Sequence, residues 1–361
     1  MSEFVNIFSE IKDPRQQGKI LYPLIEVIYL LIAATISGAD NFVEIELYSK
    51  LKLIFLRKIF PYKNGIPTHE TLGTILSAID PKQFMECFMK WTQILSETIE
   101  DVIAIDGKTI RGSCNENTGQ TALHIVSAWA SQQRISLAQI KVNNKSNEIT
   151  AIPELLNTLA LKGNIVTIDA MGCQKEVART IIKKEADYVL ALKQNHKELY
   201  KDVSLFLQDK PLREMQVEKD HGRIEIRRVY ITSDIKWLTE RHNKWENLKS
   251  IGVIESERII KGKSSVERRY YITSLSDDPL IFANAVRLHW GIENQLHWVL
   301  DMTFKEDSSQ VRQARAVENL ALIRKIANNL LQKNTAKISL RGKRLHAGWD
   351  DDYFLNILKL S

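Results

Sequence analysis

The sequence predicts an α/β protein: a mixed β-sheet flanked by helices, preceded by a helical domain and interrupted by a β-rich insertion. Three observations carry the prediction. Apolar residues recur at three- and four-residue spacing through the first hundred residues, as on a helix with one buried face. From Asp101 the texture changes to short runs rich in β-branched residues, which then alternate with helical patterns. Between residues 209 and 275 strand-like alternation returns without intervening long helical patterns, the mark of antiparallel strands.

The elements follow in chain order. Leu24, Val27, Ile28 and Leu31 share a helix face, as do Phe84, Cys87, Phe88, Trp91, Ile94 and Leu95. Pro14, Pro23, Pro61, Pro67 and Pro81 separate the helices, and Asp80-Pro81 supplies a cap followed by a residue suited to a first turn. Strands are expected at 102–107, 123–130 and 135–142, a helix at 152–161, a strand at 164–171, a helix at 174–185, a strand at 187–193 and a helix at 196–207. Three strands on short links, then strands alternating with helices, make a mixed sheet. Segments 223–233, 251–260 and 266–275 read as the insertion, and helical patterns resume at 280–305 and 311–332. The expected boundaries are a helical domain over 1–95, the sheet domain over 96–208, the insertion over 209–275, the last helices over 276–332 and a basic tail over 333–361.

Composition narrows the function. A chain of 361 residues, 44% hydrophobic and 26% charged, with Gly and Pro at ordinary levels, is neither collagenous nor disordered. Three cysteines (Cys87, Cys114, Cys173) without a C-x-x-C pair offer neither a disulfide framework nor a zinc knuckle, and suit a reducing cytoplasm. The most apolar stretch, from Leu24 to Ala39, is interrupted by Glu26, and its unbroken part falls short of the roughly 20 residues of a membrane span. A buried helix is expected there, and no secretory signal or membrane partner. Net charge is +6. Residues 311–346 hold nine Lys/Arg against the single Glu318, which tilts toward a polyanion. The first hundred residues hold ten against twelve acids, so no strongly basic reader is expected there.

Two aspartates end apolar runs, Asp106 in Ala-Ile-Asp-Gly-Lys and Asp169 in Thr-Ile-Asp-Ala-Met-Gly. Strand ends of a flanked sheet open onto a crevice, where an acid meets ligand or metal; a turn-capping role is the alternative for each alone. His289, Glu293 and His297 are spaced by four, so each is turned roughly 40° from the last on one helix face. That face lies amid Trp290, Ile292, Leu296 and Leu300, and a charged group there requires a partner.

Several segments carry a resemblance: Ile-Ala-Ile-Asp-Gly-Lys-Thr-Ile-Arg-Gly-Ser (103–113), Lys-Ser-Asn-Glu-Ile-Thr-Ala-Ile-Pro (145–153), Val-Thr-Ile-Asp-Ala-Met-Gly-Cys-Gln (166–174), Ala-Asp-Tyr-Val-Leu-Ala-Leu-Lys (186–193) and His-Trp-Gly-Ile-Glu-Asn-Gln-Leu-His-Trp-Val-Leu-Asp (289–301). In this order they resemble the bacterial insertion-sequence DDE transposases, in the subgroup that includes the H-repeat-associated proteins. The likeness runs from Asp13-Pro14-Arg15 through Gly65-Ile66-Pro67-Thr68-His69 to Lys343-Arg344 and Tyr353.

The resemblance implies a ribonuclease-H-like catalytic domain in which Asp106, Asp169 and Glu293 are the metal-binding, catalytic carboxylates. It implies Mg²⁺, with Mn²⁺ as substitute; oxygen-only ligands suit both. Two such ions activate a water or a 3′-hydroxyl on one side of a phosphodiester and stabilise the leaving oxygen on the other, so one site both cuts and joins DNA. The implied partners are double-stranded DNA, as terminal inverted repeats and target, and a second copy in a homodimer on paired ends, in a cytoplasmic, nucleoid-associated setting. Phosphate contacts are expected from Arg111, Lys141, Lys145 and Lys193 near the strand ends, from His289 and His297, and from Lys343 and Arg344 in the basic tail. Arg223, Arg227, Arg228, Arg268 and Arg269 in the insertion are candidates for reading the inverted ends, with the helical region before about residue 95.

Two departures stand out. The wider superfamily places an Arg four residues before the Glu and a Lys seven after it, where this chain has His289 and Leu300. The subgroup carries an Arg where Gly73-Thr74 stands. Rival readings are weaker. Gly262-Lys263-Ser264 lacks the P-loop glycine, since Glu257 occupies its place. A zinc hydrolase built on His289, Glu293 and His297 lacks an H-E-x-x-H motif. A catalytically inactive, transposase-derived DNA-binding protein shares the fold and predicts binding without cleavage.

Overall fold

Helices open the chain: α1 (Ser2–Phe8), α2 (Leu24–Ile36), α3 (Phe42–Leu51), α4 (Leu53–Leu56), α5 (His69–Ala78) and α6 (Pro81–Leu95). The computed structural model describes residues 2–96, 100–114, 119, 121–142, 147–220 and 223–359. Side chains of Asn41, Thr68 and Asp80 accept backbone N–H groups at the starts of α3, α5 and α6, satisfying donors that a first turn leaves unpaired. Helix α2 is apolar nearly all round because it is enclosed, as expected for the stretch after Leu24. Among the described residues no helix is long and apolar enough to cross a membrane.

Among the described residues nine strands form one mixed sheet. β1 (Val102–Ile110), β2 (Leu123–Ala130) and β3 (Ile135–Lys141) make an antiparallel meander. Helix α7 (Glu148–Thr158) leads to β4 (Ile165–Ile168), and α8 (Lys175–Lys183) leads to β5 (Asp187–Leu192); both strands run parallel to β1. After α9 (Lys197–Leu207) come β6 (Arg213–Asp220), β7 (Arg223–Thr232), the short α10 (Lys236–Arg241), β8 (Ser250–Ile260) and β9 (Lys263–Thr273). The spatial order is β3-β2-β1-β4-β5-β9-β8-β7-β6. The segment expected as an insertion therefore extends the central sheet: β9 pairs antiparallel with β5, Leu190 opposite Ile272, and covers what would otherwise be a bare edge.

Alternation along the strands gives each face its own core. Ile103 and Ile105 of β1 pack with α7, α8 and α9 on one side. On the other, Val102 packs toward α11 (Pro279–His289) and Ala104 toward the remaining helices. These are a π-helical turn (Ile292–His297), α12 (Trp298–Met302), α13 (Ala314–Lys333), α14 (Leu340–Trp349) and α15 (Asp351–Leu358). One hydrophobic cluster joins Phe4, Phe8, Val27, Phe84 and Trp91 to Leu296, Phe304, Ile326, Phe354 and Ile357. The amino-terminal helices thus share a core with the last helices, and residues 340–358, expected within a basic tail, are part of it.

Candidate active site

The pairing of β1 with β4 sets Ile105 opposite Ile168. One residue further along each chain come Asp106 and Asp169: β4 stops there, so Asp169 follows a strand end as expected, whereas Asp106 is not at a strand end but midway along β1, which continues to Ile110 paired with β2. Asp106 projects to the face of Ala104, toward the π turn, which packs across β1. Asp169 lies just past β4, where its Oδ1 accepts the N–H groups of Met171 (3.0 Å) and Gly172 (3.3 Å). Both readings of a strand-end aspartate meet here, since Asp169 organises a turn and borders a cavity at once. That cavity, about 150 Å³, lies among Asp169, Lys193, Arg269, His289, Trp290 and Glu293.

Electrostatics ties the acids together. Burial pushes the Asp106 carboxyl up to about 7; repulsion from Asp169, Glu293 and Glu148 adds to this, and the Gly107 N–H opposes it. Asp169 is raised by burial and by Glu148, against its two N–H partners and Lys193. Glu293 is raised by burial and by Asp169, against the pull of Arg269. Among the described residues no three His, Cys, Asp or Glu side chains close on one point as a finished ion site does. The donor set is nevertheless all oxygen, and carboxylates that hold protons against each other release them to a divalent cation. In that sense the residues fit the metals that DDE transposases use.

The helix bearing Glu293 departs from the regular α-helix expected. Its middle is a π turn, a wider turn common at functional sites, so His289, Glu293 and His297 are not one evenly spaced α-helical stripe. His289 Nδ1 lies 3.0 Å from Thr167 Oγ1 on β4. His297 Nδ1 lies 3.4 Å from Asp106 Oδ2, and its Nε2 is buried without a partner. Burial lowers His289 to about 4 and His297 to about 3, so both rings are neutral at pH 7. They bear on Thr167 and Asp106 and bring no charge to a phosphate.

Lys108 fastens this helix to the sheet. Its Nζ lies 2.7 Å from Asp301, 3.0 Å from Asp307 and 3.2 Å from Glu306, all carried by α12 and the loop after it. Further in, the buried Lys325 donates to Ser127 Oγ (2.9 Å) and Gln139 Oε1 (2.5 Å) beneath the Asp106 strand pair.

The expected phosphate contacts divide. Lys193 is exposed at the end of β5, and Arg111, 85% exposed, has its Nε 3.7 Å from Asp307. Lys141 is half-buried at the end of β3, and Lys145 lies outside the described residues. Lys343 and Arg344 are corrected: both are buried. The Arg344 guanidinium donates to the carbonyls of Thr35, Ala39 and Thr303 and pairs with Asp40 at 2.8 Å, closing the carboxyl end of α2. Lys343 Nζ donates to the Leu331 carbonyl at 3.0 Å and to that of Asn334, at the end of α13.

Two features escaped the sequence. Glu148, at the start of α7, reaches the acids from the opposite face; its Oε1 lies 2.6 Å from His124 Nε2, and His124 Nδ1 is 2.8 Å from Thr109 Oγ1. Gly107 makes room for this pair, since a Cβ there would stand 2.2 Å from Glu148 Oε1 and 2.6 Å from His124 Nε2. The only signal was the position of Glu148 within the 145–153 segment, where no spacing singles it out. The place of Arg269 is the second: expected among the readers of the inverted ends, it has its guanidinium 4.5 Å over the Trp290 ring and facing Glu293.

The chain belongs to the DDE transposases: the profile of the transposase DDE domain matches residues 97–330, and that of the DDE_Tnp_1-associated region matches residues 5–92. Among its relatives is the H repeat-associated putative transposase YhhI of Escherichia coli K12, 39% identical over 374 residues, covering 99% of this chain and 98% of YhhI. The putative transposase YncI of Escherichia coli O157:H7 is 41% identical over 342 residues, covering 92% of this chain and 88% of YncI. The solved synaptic complex of piggyBac transposase with hairpin DNA aligns at 11% identity and a TM-score of 0.44, over 99% of this chain and 79% of that one.

Proposed function

We propose that this chain is a working transposase of ribonuclease-H-like fold, which cuts and joins DNA at the ends of an insertion sequence. The observation that supports this reading is that Asp106 and Asp169 follow directly on the last β1–β4 pair, Ile105 and Ile168, with Glu293 bordering the same cavity as Asp169. Asp106, Asp169 and Glu293 would hold divalent cations, Mg²⁺ first and Mn²⁺ as substitute, which supply activation of a water or 3′-hydroxyl and charge for the leaving oxygen. His297, neutral and 3.4 Å from Asp106, orients that carboxylate. Thr167 and His289 brace the wall behind Asp169 and Glu293. Lys108 keeps α12 against β1, so that a glutamate and an aspartate far apart in the chain keep their spacing.

The substrates in this reading are duplex DNA at the inverted ends and at the target, held by two copies on paired ends and acting at the nucleoid. Asp106→Ala, Asp169→Ala and Glu293→Ala are each expected to slow Mg²⁺-dependent cleavage of element-end DNA at least about 100-fold, roughly 3 kcal/mol of barrier, with binding retained. A wild-type chain that binds these ends and never cuts them, with Mg²⁺ or Mn²⁺, would establish the inactive DNA-binding protein instead.

A further inference from the structure

Two cations face each other where a sheet discourages it. β5 pairs antiparallel with β9, Ala191 opposite Tyr271 and Leu192 opposite Tyr270. One residue beyond that last pair come Lys193, just past β5, and Arg269 of β9, and both line the cavity that holds Asp169 and Glu293. Like charges directly opposed on neighbouring strands destabilise the pairing unless an anion lies between them. Glu267 answers the Arg269 side of the pair: its carboxylate takes Arg269 in a two-point contact, Oε1 to Nε at 2.9 Å and Oε2 to Nη2 at 3.1 Å, and Lys193 lowers its pKa through space. The Trp290 ring beneath the guanidinium fixes its plane.

Nothing in this arrangement needs Glu267 for the fold. It is 62% exposed, and an ion pair so placed contributes little to stability. The cavity, about 150 Å³, is large enough for a phosphate group. A planar guanidinium clamped by stacking, with its two-point edge turned to a carboxylate, presents the same edge to a phosphate.

We propose that Lys193 and Arg269 form a seat for one phosphate of the bound DNA beside Asp169 and Glu293, and that Glu267 fills this seat until DNA displaces it. The inference rests on the transposase reading. It assigns the cation beside the glutamate to a strand of the extended sheet, whereas the glutamate's own helix carries His289 at that place. Glu267 then acts as a built-in competitor, lowering affinity for any polyanion that cannot exchange with it.

The test is fluorescence anisotropy with element-end duplex in EDTA, where cleavage does not contribute, across a salt series. Arg269→Gln and Lys193→Gln are expected to weaken binding about tenfold each and to flatten the salt dependence by close to one phosphate contact. Glu267→Gln is expected to tighten binding several-fold, and this gain is expected to vanish in an Arg269→Gln background. Arg269→Lys, which keeps charge without the two-point edge, is expected to fall between wild type and Arg269→Gln. Thermal melts keep misfolding apart from lost contacts. Wild-type affinity and salt slope in both single cation variants would overturn the proposal. So would a Glu267→Gln gain that persists without Arg269, since it would then be only long-range charge. Failure of the seat alone leaves wild-type cleavage and its loss in the three acid variants intact; a wild-type chain that neither binds nor cuts element ends removes both readings.

Discussion

Asp106 combines a buried carboxyl, raised to about 7, with a strand position fixed by its pairing with Ser127 of β2. It is primed to exchange a proton for a metal ion. Mg²⁺ or Mn²⁺ is therefore expected to raise the melting temperature of the wild type at pH 8, and to do so much less in Asp106→Asn, by calorimetry against EDTA controls. Lys325 shows the opposite titration. Burial lowers it to about 8, against about 10.4 in an unfolded chain, so the unfolded state binds more protons between those values. Its contribution to stability is unfavourable below pH 8 and is relieved as pH rises through 8 toward 10. Urea unfolding of Lys325→Met beside wild type is expected to show the variant relatively more stable at pH 7 than at pH 10. A constant difference across that range would mean that the amine keeps its unfolded-state pKa in the fold, so that burial does not lower it.

At the scale of elements, the joint between β1 and α12 matters most. Among the described residues Lys108 is the only cation within 4 Å of Asp301, and it also meets Glu306, which is 2% exposed. Lys108→Met leaves carboxylates facing one another with a counter-charge removed, and is expected to destabilise the fold by about 3 kcal/mol in urea titration. Asp307→Asn, at a more exposed partner, is expected to cost less than about 1 kcal/mol. Much of this level was legible in the sequence: the meander, the alternating strands and helices, and the two aspartates all follow from hydrophobic period and from where apolar runs stop. The run at 164–171 shows the limit, since the strand ends at Ile168 when Asp169 turns the chain. The π turn was not legible, because an i,i+4 pattern reads alike whether or not one turn widens. Nor was Glu148, whose place depends on the missing Cβ of a glycine on another strand.

Across the whole molecule, the basic segment over 311–346 was read as a surface and is in good part interior. Arg324, Lys325, Lys343 and Arg344 are buried, tied to carbonyls, amides or carboxylates of distant segments. Charge counts cannot separate a cation that meets solvent from one that closes a helix end, because both look alike along a chain. The distinction is testable by deletion. Removing residues 340–361 is expected to abolish the folded state, seen as loss of the cooperative melt and rapid proteolysis, whereas loss of a mere DNA-binding tail would leave the melt intact and weaken binding alone. Phe354, Ile357 and Leu358, packed in the cluster that holds Phe4 and Phe8, are the reason.

That first-with-last packing bears on synthesis. The opening helices complete their shared core only once α13 to α15 have left the ribosome, so a message cut short before residue 340 is expected to yield a product open to proteases rather than a shorter folded competitor.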